Sequence, residues 1–346
     1  MIRFAERLKA ARKMSGFSME QLAATANIKI SKQSISKYEN NKMKPDSSVI
    51  IAFANALNVS VDYFFRPNQI TLSRIEFRKK STLSQKKQDM INYITIDFLE
   101  RYFEIESLLN IEPIFKNPVH QNKVKTIEDL ENASNYLRKQ WGVGDGCIAH
   151  LIELIEEKNI KVCEVNLDSK FDAFSAMVKG IPVISLQSNV DLVRKRFNIA
   201  HELGHILLDF SEFQEDMNEE KACHRFAGSL LLPKEVMFDA LGKSRKKITM
   251  WELKKMKGLY GISIQAIMKR AKDLGIIKEN TYTGFNIYMN KMGLRFNEPG
   301  DYKGKEKANR FEQLVYKALA EDIISYSKAS QLLKKKINEV REVNFF

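Results

Sequence analysis

The sequence predicts a mainly α protein with a small β-sheet: an N-terminal all-α unit, an α+β unit behind it and a partly helical C-terminal region. Three observations carry this. Four short amphipathic segments separated by polar breaks fill the first 57 positions. Three short runs rich in Val, Ile and other apolar residues cluster between 160 and 186. Elsewhere, apolar residues recur three and four apart over long stretches, as they do on the buried face of a helix.

Taken in order, Phe4 to Ser15 is an amphipathic helix, with Phe4, Leu8 and Ala11 on one side and Arg7, Lys9, Arg12 and Lys13 elsewhere. Ser18-Met-Glu-Gln21 opens a second helix with an N-cap signature. Ser31 to Asn40 reads as the third, Ser47 to Leu57 as the fourth, and Asn58 to Phe64 closes the unit. The third helix is short and polar, as suits a segment lying in a DNA major groove. Its candidate contacts are Ser31, Lys32, Gln33, Ser34, Ser36, Lys37 and Asn40. Gln pairs with adenine edges, Lys with guanine or phosphate, and Ser with either.

Pro67-Asn68 marks a first linker, and Asp89 to Leu109 a long helix. Ile111 to Lys125 holds two of the seven prolines and reads as loop. Helices are expected over Ile127 to Lys139 and Ile148 to Glu157, and strands over Ile160 to Val165, Ala173 to Val178 and Ile181 to Leu186. Pro182 lacks a backbone donor, which disfavours its strand for a central place in the sheet. Glu306 to Leu333 reads as helical. The division expected from this pass is 1–66, a helical linker region 67–126, 127–278 and 279–346.

The chemistry concentrates in His201-Glu202-Leu203-Gly204-His205, inside the apolar run Phe197 to Leu208. On a helix, residues four apart share a face, so both imidazoles can reach one metal ion. Glu202 follows the first histidine and is placed to take a proton from a water activated by that ion. A catalytic zinc uses three protein ligands and keeps one position open. Downstream, Asp216 to Pro233 reads as a second helix, with Ala222, Phe226, Ala227 and Leu230 at helical spacing and Pro233 as its stop. If the two helices pack antiparallel, Glu220 comes beside His201 and His205. Asp209 is a rival third ligand one turn beyond His205, but eight residues from His201 rotate it by about 80°. Glu219 is the weaker alternative, pointing elsewhere on the second helix.

The run Arg194 to Leu208, followed by Glu220-Lys-Ala-Cys-His-Arg-Phe-Ala-Gly-Ser-Leu-Leu-Leu-Pro233, resembles the ImmA/IrrE family of zinc metallo-endopeptidases. The resemblance implies a zincin-like HExxH peptidase domain over 127–278, with Glu202 catalytic and one Zn²⁺ per chain held by His201, His205 and Glu220. Family members often have histidine where Asp209 stands, and asparagine or aspartate where His224 stands. His224, one turn after Glu220, is kept outside the metal set. Weaker likeness extends to Glu76–Lys80, Leu137–Gly144 and Leu259–Ile277. Residues 1–65 resemble the XRE helix-turn-helix family through Ile35-Ser-Lys-Tyr-Glu-Asn-Asn-Lys42-Met-Lys-Pro45 and Ala54-Asn-Ala-Leu57-Asn-Val-Ser60. From Leu22 to Ile35 the spacing is two residues longer than usual for that family, within the turn Asn27 to Ser31.

The two resemblances imply a DNA-binding transcriptional regulator fused to an endopeptidase that cleaves a repressor protein, with double-stranded DNA as the other partner. A second reading is an XRE-type regulator or antitoxin-like protein whose metal site is structural or vestigial. Composition fits either: 346 residues, 44% hydrophobic, formal charge +13, enough chain for two or three domains. Residues 1–65 carry ten basic against five acidic side chains, but the remainder is basic too, so charge alone does not locate the DNA. Three cysteines, Cys147, Cys163 and Cys223, show no CxxC pairing, against a disulfide framework or a Cys-based zinc site. With no leader and no run of about 18 apolar residues, a cytoplasmic protein without membrane contact is expected.

Overall fold

The computed structural model describes residues 2–66, 70–76, 83–119, 123–167, 171–213 and 218–342. Pro67-Asn68, most of Glu76–Lys80 and the expected helix start at Asp216 lie outside them.

The N-terminal unit comprises α1 (Ile2–Met14), α2 (Met19–Thr25), α3 (Lys32–Glu39), α4 (Ser47–Leu57) and a 3-10 turn (Val61–Phe65). Local chemistry sets these boundaries. Ser18, Ser31 and Asp46 cap α2, α3 and α4 by accepting from the backbone N–H of Gln21, Ser34 and Val49, each cap contributing about 1 kcal/mol. Asn58, in the left-handed region at φ 50°, ends α4. Leu8, Leu22, Ile35, Phe53 and Phe64 are fully buried between the helices. Arg12 on α1 grips both carboxylate oxygens of Glu39 at 2.5 and 2.9 Å and so fixes α3 against α1. In the lengthened turn between α2 and α3, Ile28 and Ile30 pack on this core, which anchors the added residues.

Residues 67–126, expected as a helical linker region, contribute a strand and a packed helix. The strand β1 (Ser73–Glu76) was not expected, and α5 (Gln85–Leu108) runs between the N-terminal unit and the rest. Arg7 and Lys13 of α1 pair with Glu100 and Asp89 of α5 at 2.5 Å each. Near its other end, Glu106 pairs with the buried Lys161.

Then follow α6 (Ile127–Trp141), α7 (Leu151–Glu157), β2 (Lys161–Val165), β3 (Ala173–Val178) and β4 (Ile181–Gln187). The sheet order is β1-β3-β4-β2, with β1–β3 and β3–β4 antiparallel and β2–β4 parallel. Lys179 and Gly180, both at positive φ, close the β3–β4 hairpin. The expectation for Pro182 is corrected: its strand is central. Pairing of β4 with β2 begins at Val183 opposite Lys161, so Pro182 lies just outside that ladder.

Against β3 and β4 lies α8 (Leu192–Leu207), started by the Asp191 cap, and α9 (Glu219–Leu231), started by Asn218, packs on it. Ile199, Leu203, Phe226 and Leu230 are wholly buried in their common core. At about 1.5–3 kcal/mol per buried Leu or Phe, apolar packing holds this pair together and the polar groups ride on it. Helices α10 (Lys234–Leu241), α11 (Met250–Tyr260), α12 (Ile264–Asp273) and α13 (Glu279–Lys291) continue the chain. The expected helix over 306–333 is two, α14 (Arg310–Ala320) and α15 (Tyr326–Leu333), separated at Asp322, whose φ is 56°. A short α16 (Ile337–Arg341) follows. Glu306 ties this region back to α8: it is the ion-pair partner of the fully buried Arg196 and accepts from the N–H groups of Leu151 and Ile152. No helix among the described residues is long and apolar enough to cross a membrane.

Candidate functional site

His201, Glu202 and His205 sit on the α8 turns that face β3 and α9. His201 and Glu202 are fully buried. The crossing with α9 is close because of Gly204. A Cβ built there would meet Cys223 Sγ at 3.0 Å, Cβ at 3.2 Å and backbone Cα at 3.3 Å. Cys223 thus works as a small residue at a helix crossing, three residues after Glu220. Gly204→Ala is expected to push α9 outward by a few tenths of an ångström. It should destabilise the fold by about 1–3 kcal/mol, read as a drop in the denaturation midpoint, together with weaker metal binding. Unchanged metal affinity would show that this crossing does not set the site.

Three donor atoms converge. His201 Nε2 lies 3.2 Å from His205 Nε2, Glu220 Oε2 lies 3.5 Å from His201 Nε2, and Glu220 Oε1 lies 3.4 Å from His205 Nε2. Ligands held tetrahedrally at about 2.0–2.1 Å from a zinc ion stand about 3.3–3.4 Å from each other. The spacing of these donors therefore fits a zinc ion. His201, His205 and Glu220 form the one group of this kind among the described residues.

Of the rival ligands, Asp209 is elsewhere. The chain leaves helical geometry at Leu208, and Asp209 turns its carboxylate to the Ser211 N–H at 2.9 Å, which holds its pKa below the usual range. Its carbonyl accepts from Val124 N–H. Glu219 is nearer than its helix position suggested. Its Oε1 is 3.1 Å from His205 Nδ1, so the two adjacent glutamates address the two nitrogens of one imidazole. A carboxylate in that place fixes the ring and its tautomer. Glu202 Oε2 accepts from Ser175 Oγ of β3 at 2.8 Å. Sequence reasoning missed Ser175, because strand alternation does not reveal which helix covers a strand. His224 donates from Nδ1 to Glu220 O at 2.6 Å, and its ring lies 4.3 Å from that of His201.

These placements order the expected losses. Glu220→Ala should weaken zinc binding most, Glu219→Ala by about 10–100-fold, and Asp209→Ala little, as read by chelator competition. A greater loss from Asp209→Ala than from Glu220→Ala would overturn the two-helix site.

On α3 the expected DNA contacts divide. Gln33 and Lys37 are exposed one turn apart, and no hydrogen bond or ion pair engages their side chains among the described residues. Asn40 is exposed, and its Nδ2 donates to Ser36 O at 2.8 Å. Ser31 serves as the helix cap and also contacts Ser34 Oγ at 3.0 Å. Lys32 pairs with Glu20 of α2, and this pairing holds the exposed Glu20 carboxyl down at about 2. Lys42 and Lys44 stand exposed just beyond α3.

A family model described as helix-turn-helix matches residues 8–64, and one for peptidases, described as IrrE N-terminal-like domain, matches residues 155–272. Among curated proteins, the chain is similar to the HTH-type transcriptional regulator ImmR of Bacillus subtilis (strain 168). Identity is 24% over 127 residues, which cover 36% of this chain and 94% of that protein. No solved structure matches.

Proposed function

The chain joins a helix-turn-helix DNA-binding domain of the XRE type to an ImmA/IrrE-like peptidase-family domain, and on that premise we propose that it is a DNA-bound regulator that holds one zinc ion and cleaves a repressor protein. The observation that carries the peptidase half is the trio of donor atoms at tetrahedral spacing beside the buried Glu202. When bound, zinc supplies Lewis acidity, polarising the scissile carbonyl and lowering the pKa of water. Glu202 takes the proton of the attacking water and then delivers it to the leaving amine nitrogen. Ser175 donates to one oxygen of that carboxylate and so orients it. Glu219 orients His205 through its Nδ1. In this reading, residues 1–66 hold DNA, 127–278 cut, and 67–126 and 279–346 brace the two, with the work done in the cytoplasm.

The likeness to ImmR, itself named a transcriptional regulator, supports the regulatory half. Gln33 and Lys37 read bases, while Lys42 and Lys44 hold phosphates. Binding of the full chain to its operator should weaken steeply as salt rises, because basic side chains displace condensed counterions. Gln33→Ala should relax sequence preference, and Lys42→Ala should weaken all sequences alike. Fluorescence anisotropy against salt measures both, and absence of any sequence preference at low salt would make the N-terminal unit a protein-docking module instead. The test of the whole reading is co-expression with candidate XRE-type repressor proteins, one of which should be cut by the wild type and spared by Glu202→Gln.

A further inference from the structure

Where the end of the N-terminal unit meets α15, a cleft of about 460 Å³ opens, with Asn58, Ser60 and Arg66 on one wall and Gln331, Lys334 and Lys335 on the other. Its charges do not balance. Arg66, Arg101 and Lys334 all turn to a single carboxylate, Asp97 of α5, which is 2% exposed. Lys334 Nζ is 2.7 Å from Asp97 Oδ2 and Arg101 Nε is 3.1 Å from the same oxygen. Arg66 Nη1 stands 3.5 Å from Oδ1 and makes no hydrogen bond among the described residues. The neighbouring acids do not offset the excess, since Glu100 is taken by Arg7 and Glu312 by Lys335.

Burial would raise the pKa of Asp97, but Arg101, Lys334 and Arg66 together hold it below the usual range. Lys334 is pushed down, first by loss of water around its ammonium and then by the two arginines. An added anion would relieve that repulsion. The donors are held ready for one: the Arg66 guanidinium lies 5.4 Å from the centre of the Tyr63 ring, and the Lys334 side chain is 43% exposed. Arginine and lysine donors of this kind favour phosphate oxygens.

We propose that this cleft is a binding site for a small phosphate-bearing anion, seated between the DNA-binding unit and the C-terminal helices. Such a ligand bridges Arg66, which follows the 3-10 turn of the N-terminal unit, to Lys334 at the end of α15. It therefore biases how firmly the N-terminal unit is held. The proposal is independent of the metal site and of peptide cleavage.

Calorimetric titration of the full chain with pyrophosphate and with ATP, at constant ionic strength set by potassium chloride, tests it. One saturable site per chain is expected. Lys334→Gln and Arg66→Gln should each weaken it by about tenfold or more, whereas Lys334→Arg and the remote Lys303→Gln should keep it. Because the Lys334 side chain is partly exposed, Lys334→Gln should keep the fold, which circular dichroism checks. The proposal is overturned if neither probe binds, or if binding survives both Lys334→Gln and Arg66→Gln. It is overturned equally if only duplex DNA responds to these substitutions, which would assign the cations to the DNA backbone.

Discussion

Purified protein is expected to hold about one zinc ion per chain, and His201→Ala or His205→Ala to lose it. Each histidine supplies one of three donors that stand 3.2–3.5 Å apart. Two remaining donors cannot close a tetrahedral site, so the loss should exceed the 10–100-fold that follows from disturbing a supporting contact. The fold should survive, because alanine is a good helix former and α8 is held by Ile199, Leu203 and their neighbours. Elemental analysis after dialysis gives the metal content, and far-ultraviolet dichroism gives the helix content. If both histidine variants keep their zinc, the metal is bound elsewhere and the peptidase reading falls.

The second large effect is Glu202→Gln. Glutamine matches glutamate in shape and can still accept from Ser175 Oγ, so the local packing and the metal should remain. It cannot take up a proton. General-base catalysis contributes about 10²–10⁴-fold, and repressor cleavage should fall by that order with metal content unchanged. Undiminished cleavage by this variant would remove Glu202 from the chemistry. A matched loss of metal and cleavage would recast it as a structural residue. Ser175→Ala should lower cleavage less, because it loosens the carboxylate without removing it.

What was legible in the sequence was written locally. The bounds of α4 at Ser47 and Leu57 and of β3 at Ala173 and Val178 coincide with the expected ones. A cap residue, a left-handed Asn and apolar spacing act within a few positions. The HExxH pair is local for the same reason, four residues on one helix. Decisions made by distant parts of the chain stayed hidden. The central place of Pro182 depends on where β2 begins to pair, at Lys161. β1 exists because residues 73–76 reach β3 a hundred positions away. The Glu219 contact depends on how α9 packs across α8, which brings two adjacent glutamates to the two nitrogens of His205. The strength of α5 as a packed element came from partners in α1, β2 and the C-terminal helices.

Glu306 gives the boundary of the peptidase unit a different meaning. The family match ends at residue 272, yet the buried guanidinium of Arg196, five residues before His201, finds its carboxylate at 306. The same carboxylate closes the first turn of α7. The C-terminal region is therefore tied to α8 and α7 through one buried acid. Loss of the segment would strand the buried Arg196 cation within α8, so a chain cut after the family match is expected to be destabilised.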